Sequence, residues 1–177
     1  LISAWERLVR DGSAQASEWS LAIVGWDDGG HEARLKRQIE EAGLENVHLL
    51  GPMFGADKEA AFHHADAFIL PSHSEGLPMA VLEAWSYRLP VLMTPACNLP
   101  IGFDKGAAVR VEPAPTSIVD GIHALCAQSE ADRKEIGWQG RTLVEERFTW
   151  TQVARQMANV YRWVLGEGNP PSTVVFD

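Results

Sequence analysis

Positive charge is what this chain has least of. Fifteen Lys and Arg face twenty-four Asp and Glu, for a formal net charge of −9, and a surface of that sign repels phosphate backbones and anionic headgroups. No nucleic acid and no anionic membrane face is therefore expected as a partner. Cysteine is almost absent. Cys97 and Cys126 form neither a disulfide framework nor a zinc-ligand spacing, so reduced thiols in a cytosolic setting are expected. No apolar run approaches the ~20 residues needed to cross a bilayer, so no transmembrane segment is expected. No signal peptide is visible, although Leu1 is not an initiator methionine. His63 and His64 are adjacent and would point ~100° apart on a helix, which prevents them from sharing an ion. No metal site is expected.

What is present fits a globular domain. Hydrophobic residues make up 46% and charged residues 22% of 177 residues, enough to bury a sizeable core. Short apolar runs alternate with amphipathic ones. Strands are expected over residues 19–24, 47–50, 67–70, 90–93 and 107–111. Helices are expected over 1–11, 31–42, up to His64 from a cap at Asp57, after Pro78, and over 118–128, 131–146 and 150–165. Thr149 and Gln152 have the spacing of a capping box for the last of these. This alternation predicts an α/β fold with a doubly wound, Rossmann-like parallel sheet and helices at the C-terminal end. Residues 166–177 contain Gly-Asn-Pro-Pro-Ser and read as a flexible tail. Ligands of such sheets bind at the carboxyl ends of the strands, where Gly25, Gly51 and Glu75 fall.

The run from Pro71 to Ala84 carries the chemistry. A strand ends at proline, a polar loop leads to Glu75-Gly76-Leu77-Pro78-Met79, and an apolar helix follows with Glu83. Eight residues separate the two acids, or ~12 Å along a helix. The helix N-terminus offers unpartnered amides and partial positive charge, which suits a diphosphate. Gly76 admits close approach of the backbone, and Pro78 is tolerated in a first turn. Ionised carboxylates accept paired hydrogen bonds from vicinal hydroxyls. Glu83 is thus placed for a ribose and Glu75 for a second sugar, the pattern expected of a nucleotide-sugar site. Two isolated acids at this spacing are more often solvated side chains; the surrounding sequence favours the site.

That surrounding sequence resembles a known family. Glu75-Gly-Leu-Pro-Met-Ala-Val-Leu-Glu83-Ala84, with Leu89-Pro90-Val91 and Thr94, is similar to the signature of retaining GT-B glycosyltransferases, the "glycosyl transferases group 1" family. Leu21-Ala-Ile-Val-Gly25, Val47-His-Leu-Leu-Gly51 and Ala65-Asp-Ala-Phe-Ile-Leu-Pro-Ser72 resemble further segments of it, in the same order, from about Leu1 to about Leu165. The resemblance implies that residues 1–165 are the C-terminal, donor-binding half of a GT-B fold, lacking its first strand, with the N-terminal acceptor domain absent from this chain. It implies transfer of a sugar from a nucleoside diphosphate sugar with retention of configuration, in polysaccharide or glycoconjugate synthesis, with no metal or other cofactor. The partners implied are a nucleotide sugar, the missing N-terminal domain, and a sugar or lipid-linked acceptor. The setting is cytoplasmic, at the inner face of the membrane through the missing half, and the fragment alone is expected to be inactive. Glu75 is the implied catalytic residue. Glu83, Gly76, Leu77, Met79, Gly25, Gly51 and Lys58 are the implied donor-binding residues, with Lys58 at the base edge or simply on the surface.

Two departures matter. Arg88 stands where the family usually has glycine, so a different helix cap is expected, with its charge able to face the site. The family's phosphate-gripping Arg and Lys precede the segment resembling the first helix and are not in this sequence. Alternatives are a GT-B sugar-nucleotide epimerase or a non-catalytic nucleotide-sugar or interaction module. Asp27-Asp28 after a strand is superficially similar to a receiver domain's acidic turn, but the strand ending at Leu70-Pro71-Ser72 lacks the phosphoacceptor aspartate. A solvated turn is the plainer reading of that pair, and a solvent-facing loop residue that of His73.

Overall fold

The short apolar runs form strands, and every strand pairs in parallel. The structure, a computed structural model, describes residues 1–12, 18–27 and 29–175. Asp28, and with it the acidic pair as a cation site, lies outside the described residues. The order begins α1 (Ile2–Arg10), β1 (Leu21–Val24), α2 (His31–Glu41), β2 (Val47–Gly51), α3 (Gly55–His64) and β3 (Phe68–Leu70). It continues with α4 (Met79–Ser86), β4 (Val91–Met93), a 3-10 turn (Pro95–Cys97), α5 (Pro100–Asp104) and β5 (Ala108–Arg110). The chain then runs through α6 (Pro115–Cys126), α7 (Glu130–Leu143), a π-helical turn (Val144–Phe148) and α8 (Trp150–Val164).

The sheet is laddered in two pieces. β1 pairs with β2, and β4 lies between β3 and β5. The Leu21 amide donates to the Asn46 carbonyl at 2.8 Å, and the Phe68 amide to the Pro90 carbonyl at 2.9 Å. Backbone groups alternate sides along a parallel strand, so those of Ala22, Val24 and Ile69 point to the opposite edges. Both edges border a cavity of about 70 Å³ lined by Trp19, Leu21, Phe68, Ile69, Leu92 and Ile122.

Three apolar clusters hold the elements. Trp85 is fully buried among Val81, Leu89, Val91, Met93 and Leu143, with its indole N–H on the Ala107 carbonyl at 2.9 Å. Trp5 packs with Ile2, Leu8, Leu21, Leu44 and Val47 and donates to Asn46 Oδ1 at 3.0 Å. Leu92, Val111 and Leu125 form the third. Helix α7 reaches the Trp85 helix through two glycines. A Cβ on Gly137 would lie 1.9 Å from the Arg88 carbonyl oxygen, and one on Gly140 would lie 2.2 Å from the Trp85 ring. Helix α8 buries none of its residues, and Trp150 and Tyr161 are exposed along it.

Several expectations are corrected. Asp57 does not cap α3. The helix starts at Gly55 with Phe54 as N-cap, and Asp57 contributes its charge to the first turn instead, where it complements the helix dipole. The helix over 131–146 starts at Glu130, capped by Ser129, and gives way to the π-helical turn after Leu143. Thr149 accepts the Gln152 amide as a cap, but the Gln152 side chain accepts from Arg155 instead of returning to Thr149.

Arg88 is the sharpest correction. It adopts the left-handed conformation itself, at φ 61°. The Leu89 amide bonds the Ala84 carbonyl and the Arg88 amide the Trp85 carbonyl, so α4 ends in the same Schellman arrangement that glycine would give. Its guanidinium lies 3.9 Å from the centre of the Trp138 ring on α7 and so belongs to the α4–α7 contact. The ring contact offsets part of the backbone strain. Arg88→Ala keeps the strain and loses the contact, whereas Arg88→Gly removes the strain. The Gly variant is therefore expected to be more stable than the Ala variant by ~1 kcal/mol, read from urea unfolding midpoints; equal midpoints would refute the strain argument.

Candidate functional site

Loop 71–78 leaves the end of β3 and is held by the turn that follows β4. Thr94, fully buried, donates its hydroxyl to the Ser72 carbonyl at 2.6 Å. The Glu75 amide donates to the Ala96 carbonyl at 2.9 Å, and the Asn98 side-chain amide donates to the Glu75 carbonyl. Asn98 does this from φ 54°, a conformation that asparagine accepts more readily than most residues. The loop backbone is thus fixed on both sides of Glu75.

The two acids are each half engaged. Ser72 Oγ donates to Glu75 Oε1 at 2.7 Å, and Lys58 Nζ donates to Glu83 Oε1 at 2.6 Å. Among the described residues, neither Oε2 has a hydrogen-bond partner. Each carboxylate is therefore oriented by a neighbouring side chain while keeping one oxygen available to accept. The hydrogen bond and the charge of Glu83 raise the Lys58 pKa above its usual value. The ammonium therefore stays charged to higher pH than usual, and the pair persists until pH rises through that raised value. With the side chains 40% and 36% exposed, solvent screens the pair and its contribution to folding stability is small.

Between the two acids lies the start of α4. Pro78 is its N-cap, and its carbonyl takes the Val81 and Leu82 amides at 3.0 and 3.4 Å. The preceding amides of Gly76, Leu77, Met79 and Ala80 have no intramolecular partner among the described residues. Gly76, Leu77 and Met79 are exposed, and a Cβ on Gly76 would meet nothing within 4 Å. The start of α4 thus presents exposed amide donors, with one oriented carboxylate before it and another on the helix. A larger depression of about 310 Å³, lined by Lys36, Ile39, Glu40, His48 and Leu50, lies along α2 and β2 and includes none of these groups.

Gly25 and Gly51 sit at the carboxyl ends of β1 and β2, but the Gly25 amide is already donated to the Gly51 carbonyl at 3.1 Å. Lys58 reaches Glu83 from α3. Asp27 accepts the Glu32 amide at 3.1 Å at the start of α2. His73 is exposed. The loop-holding roles of Ser72, Thr94 and Asn98 escaped the sequence reading. A left-handed asparagine after a short turn was the one local signal. Among the described residues, no helix is long and apolar enough to cross a membrane.

The family model "Glycosyl transferases group 1" matches residues 1–142. The O-antigen chain mannosyltransferase C of Escherichia coli is 26% identical over 161 residues, covering 86% of this chain and 42% of that protein. Sucrose-phosphate synthase from Thermosynechococcus elongatus superposes with a TM-score of 0.75 at 20% identity, over 94% of this chain and 43% of that one. The Anabaena protein Alr3699/HepE, solved with UDP-glucose, superposes with a TM-score of 0.70 at 21% identity, over 81% of this chain and 41% of that one. The chain spans less than half the length of the curated relatives it matches.

Thr94→Val tests the loop tie. Loss of its donor leaves the Ser72 carbonyl without that partner and is expected to cost ~1–3 kcal/mol in chemical unfolding, with Thr94→Ser close to wild type. A Val variant as stable as wild type would mean that the hydroxyl does not hold the loop.

Proposed function

The chain belongs to the glycosyl transferases group 1 family, and on that premise we propose that it is the donor-binding domain of a retaining glycosyltransferase of hexosyltransferase type. The donor is a nucleoside diphosphate sugar, and the product is a polysaccharide or glycoconjugate. The observation that carries this reading is the pair of half-engaged carboxylates on either side of the unpartnered amides at the start of α4. The naming of the Escherichia coli relative as an O-antigen chain mannosyltransferase supports the reaction class and the envelope-polysaccharide setting.

On this reading Glu83 holds the ribose hydroxyls and Glu75 the hydroxyls of the transferred sugar. The amides of Gly76, Leu77 and Met79 face the diphosphate. As the bond from the anomeric carbon to the phosphate oxygen breaks, its electron pair goes to the diphosphate, and the amides and helix dipole stabilise the growing negative charge. Glu75 faces the positive charge that develops on the sugar. The acceptor oxygen attacks from the same face as the leaving group and its proton passes to the departing phosphate, which gives retention. No step calls on a bound metal. The acceptor and the remaining phosphate contacts come from a partnering N-terminal domain, so this chain alone binds donor but does not turn over, in a cytoplasmic setting facing a membrane-borne acceptor.

Binding is the direct test. Glu83→Ala is expected to weaken nucleoside diphosphate affinity by ~1.5–3 kcal/mol, the size of a charge-assisted hydrogen bond, as measured by titration calorimetry. Unchanged affinity would remove Glu83 from the site.

A further inference from the structure

Of the two serines in loop 71–78, Ser72 is partly buried and Ser74 is exposed. Ser72 Oγ donates to Glu75 Oε1 at 2.7 Å, and both partners are tied to one turn, Pro95–Cys97 with its flanking residues. Thr94 Oγ1 donates to the Ser72 carbonyl at 2.6 Å, and the Glu75 amide to the Ala96 carbonyl at 2.9 Å. The Asn98 side chain donates to the Glu75 carbonyl. All three ties end on backbone atoms of the loop. A glutamate has several rotatable bonds between its backbone and its carboxylate, so these ties alone leave the acid free to swing. The Ser72 hydroxyl supplies the missing restraint, and it acts from a residue whose own backbone is held.

We infer that Ser72 is a positioning residue for Glu75: its hydroxyl orders the carboxylate before a donor arrives and leaves Oε2 as the oxygen that accepts from the transferred sugar. This rests on the role proposed above for Glu75 toward that sugar. A serine hydroxyl carries one proton, and donating it to Oε1 holds the carboxylate through a single bond while sparing the other oxygen. Ordering a long side chain on binding otherwise costs roughly two- to ten-fold in affinity, a cost already met here in the folded chain. The hydroxyl bonds neither Glu83 nor the amides at the start of α4, the groups given to the ribose and the diphosphate. Its contribution therefore falls on the sugar and not on the nucleotide.

Calorimetric titration into the 177-residue chain reads this as a ratio, the affinity for a nucleotide sugar divided by that for its nucleotide. UDP-glucose and UDP-N-acetylglucosamine are compared with UDP, and GDP-mannose with GDP. Ser72→Ala keeps the backbone carbonyl that Thr94 holds, and is expected to lower the ratio by about three- to ten-fold, toward that of Glu75→Ala. Ser72→Thr retains the hydroxyl and should stay near the wild-type ratio, as should Ser74→Ala. A purely structural role for Ser72 would weaken nucleotide and nucleotide sugar alike and leave the ratio unmoved. An unmoved ratio in Ser72→Ala, with a fallen one in Glu75→Ala, overturns the inference and leaves the donor reading intact. A ratio unmoved in both variants overturns the placement of the sugar at Glu75 and this inference with it, as does a wild type that binds none of the three nucleotide sugars.

Discussion

The clamp on loop 71–78 is the constraint on which the candidate site depends. Glu75 lies in irregular backbone, where nothing in the local sequence fixes its direction. Its position is set from outside, by a buried hydroxyl on Thr94, a carbonyl on Ala96 and a side-chain amide on Asn98. All three belong to the segment after β4, and β4 is the one strand whose residues are all buried. A fully buried strand therefore positions a partly exposed acid. A carboxylate that orients a sugar loses much of its effect if displaced by an ångström, and this arrangement resists such displacement without rigidifying the open face.

Glu83 is positioned by different means. It lies on a regular helix, so its direction follows from α4 itself, and the clamp acts only through the helix start. Lys58 from a neighbouring helix then fixes one carboxylate oxygen. A ligand arriving at Glu83 meets an acceptor that is already directed, and it need not order a freely rotating side chain. The same lysine stands where a ribose hydroxyl would also donate, so binding there trades part of one charge-assisted bond for another. Both acids thus combine a held oxygen with an open one, reached by unrelated routes.

The sequence made the strands legible because each is a short, mostly apolar run, and it made the motif helix legible because Pro78 and Gly76 punctuate its start. It misplaced what tertiary contact decides. Asp57 has the composition of a cap, yet Phe54 and Gly55 begin α3 one turn earlier. Arg88 read as a position needing another terminator, because the cost of a left-handed arginine is visible in sequence and the Trp138 ring fifty residues away is not. Lys58 was a candidate for its place at the start of α3, but its partner Glu83 on α4 could not be read from spacing. Asn98 looked like an ordinary loop residue because its partner is a backbone carbonyl, which leaves no trace in side-chain patterns.

The division of the sheet has a consequence for how the molecule behaves among its own copies. Leu21-Ala-Ile-Val24 and Phe68-Ile-Leu70 carry no charge and no proline, the composition of strands that normally lie inside a sheet. Here, among the described residues, each keeps one side without a ladder partner. Natural edge strands are guarded by lysines, prolines or bulges, and a bare apolar edge is a template for strands from another chain. Here both sides border the same small cavity, lined by Leu21 from one strand and by Phe68 and Ile69 from the other, so a strand from another molecule meets packed side chains before an open ladder, and the borders do without lysine or proline guards.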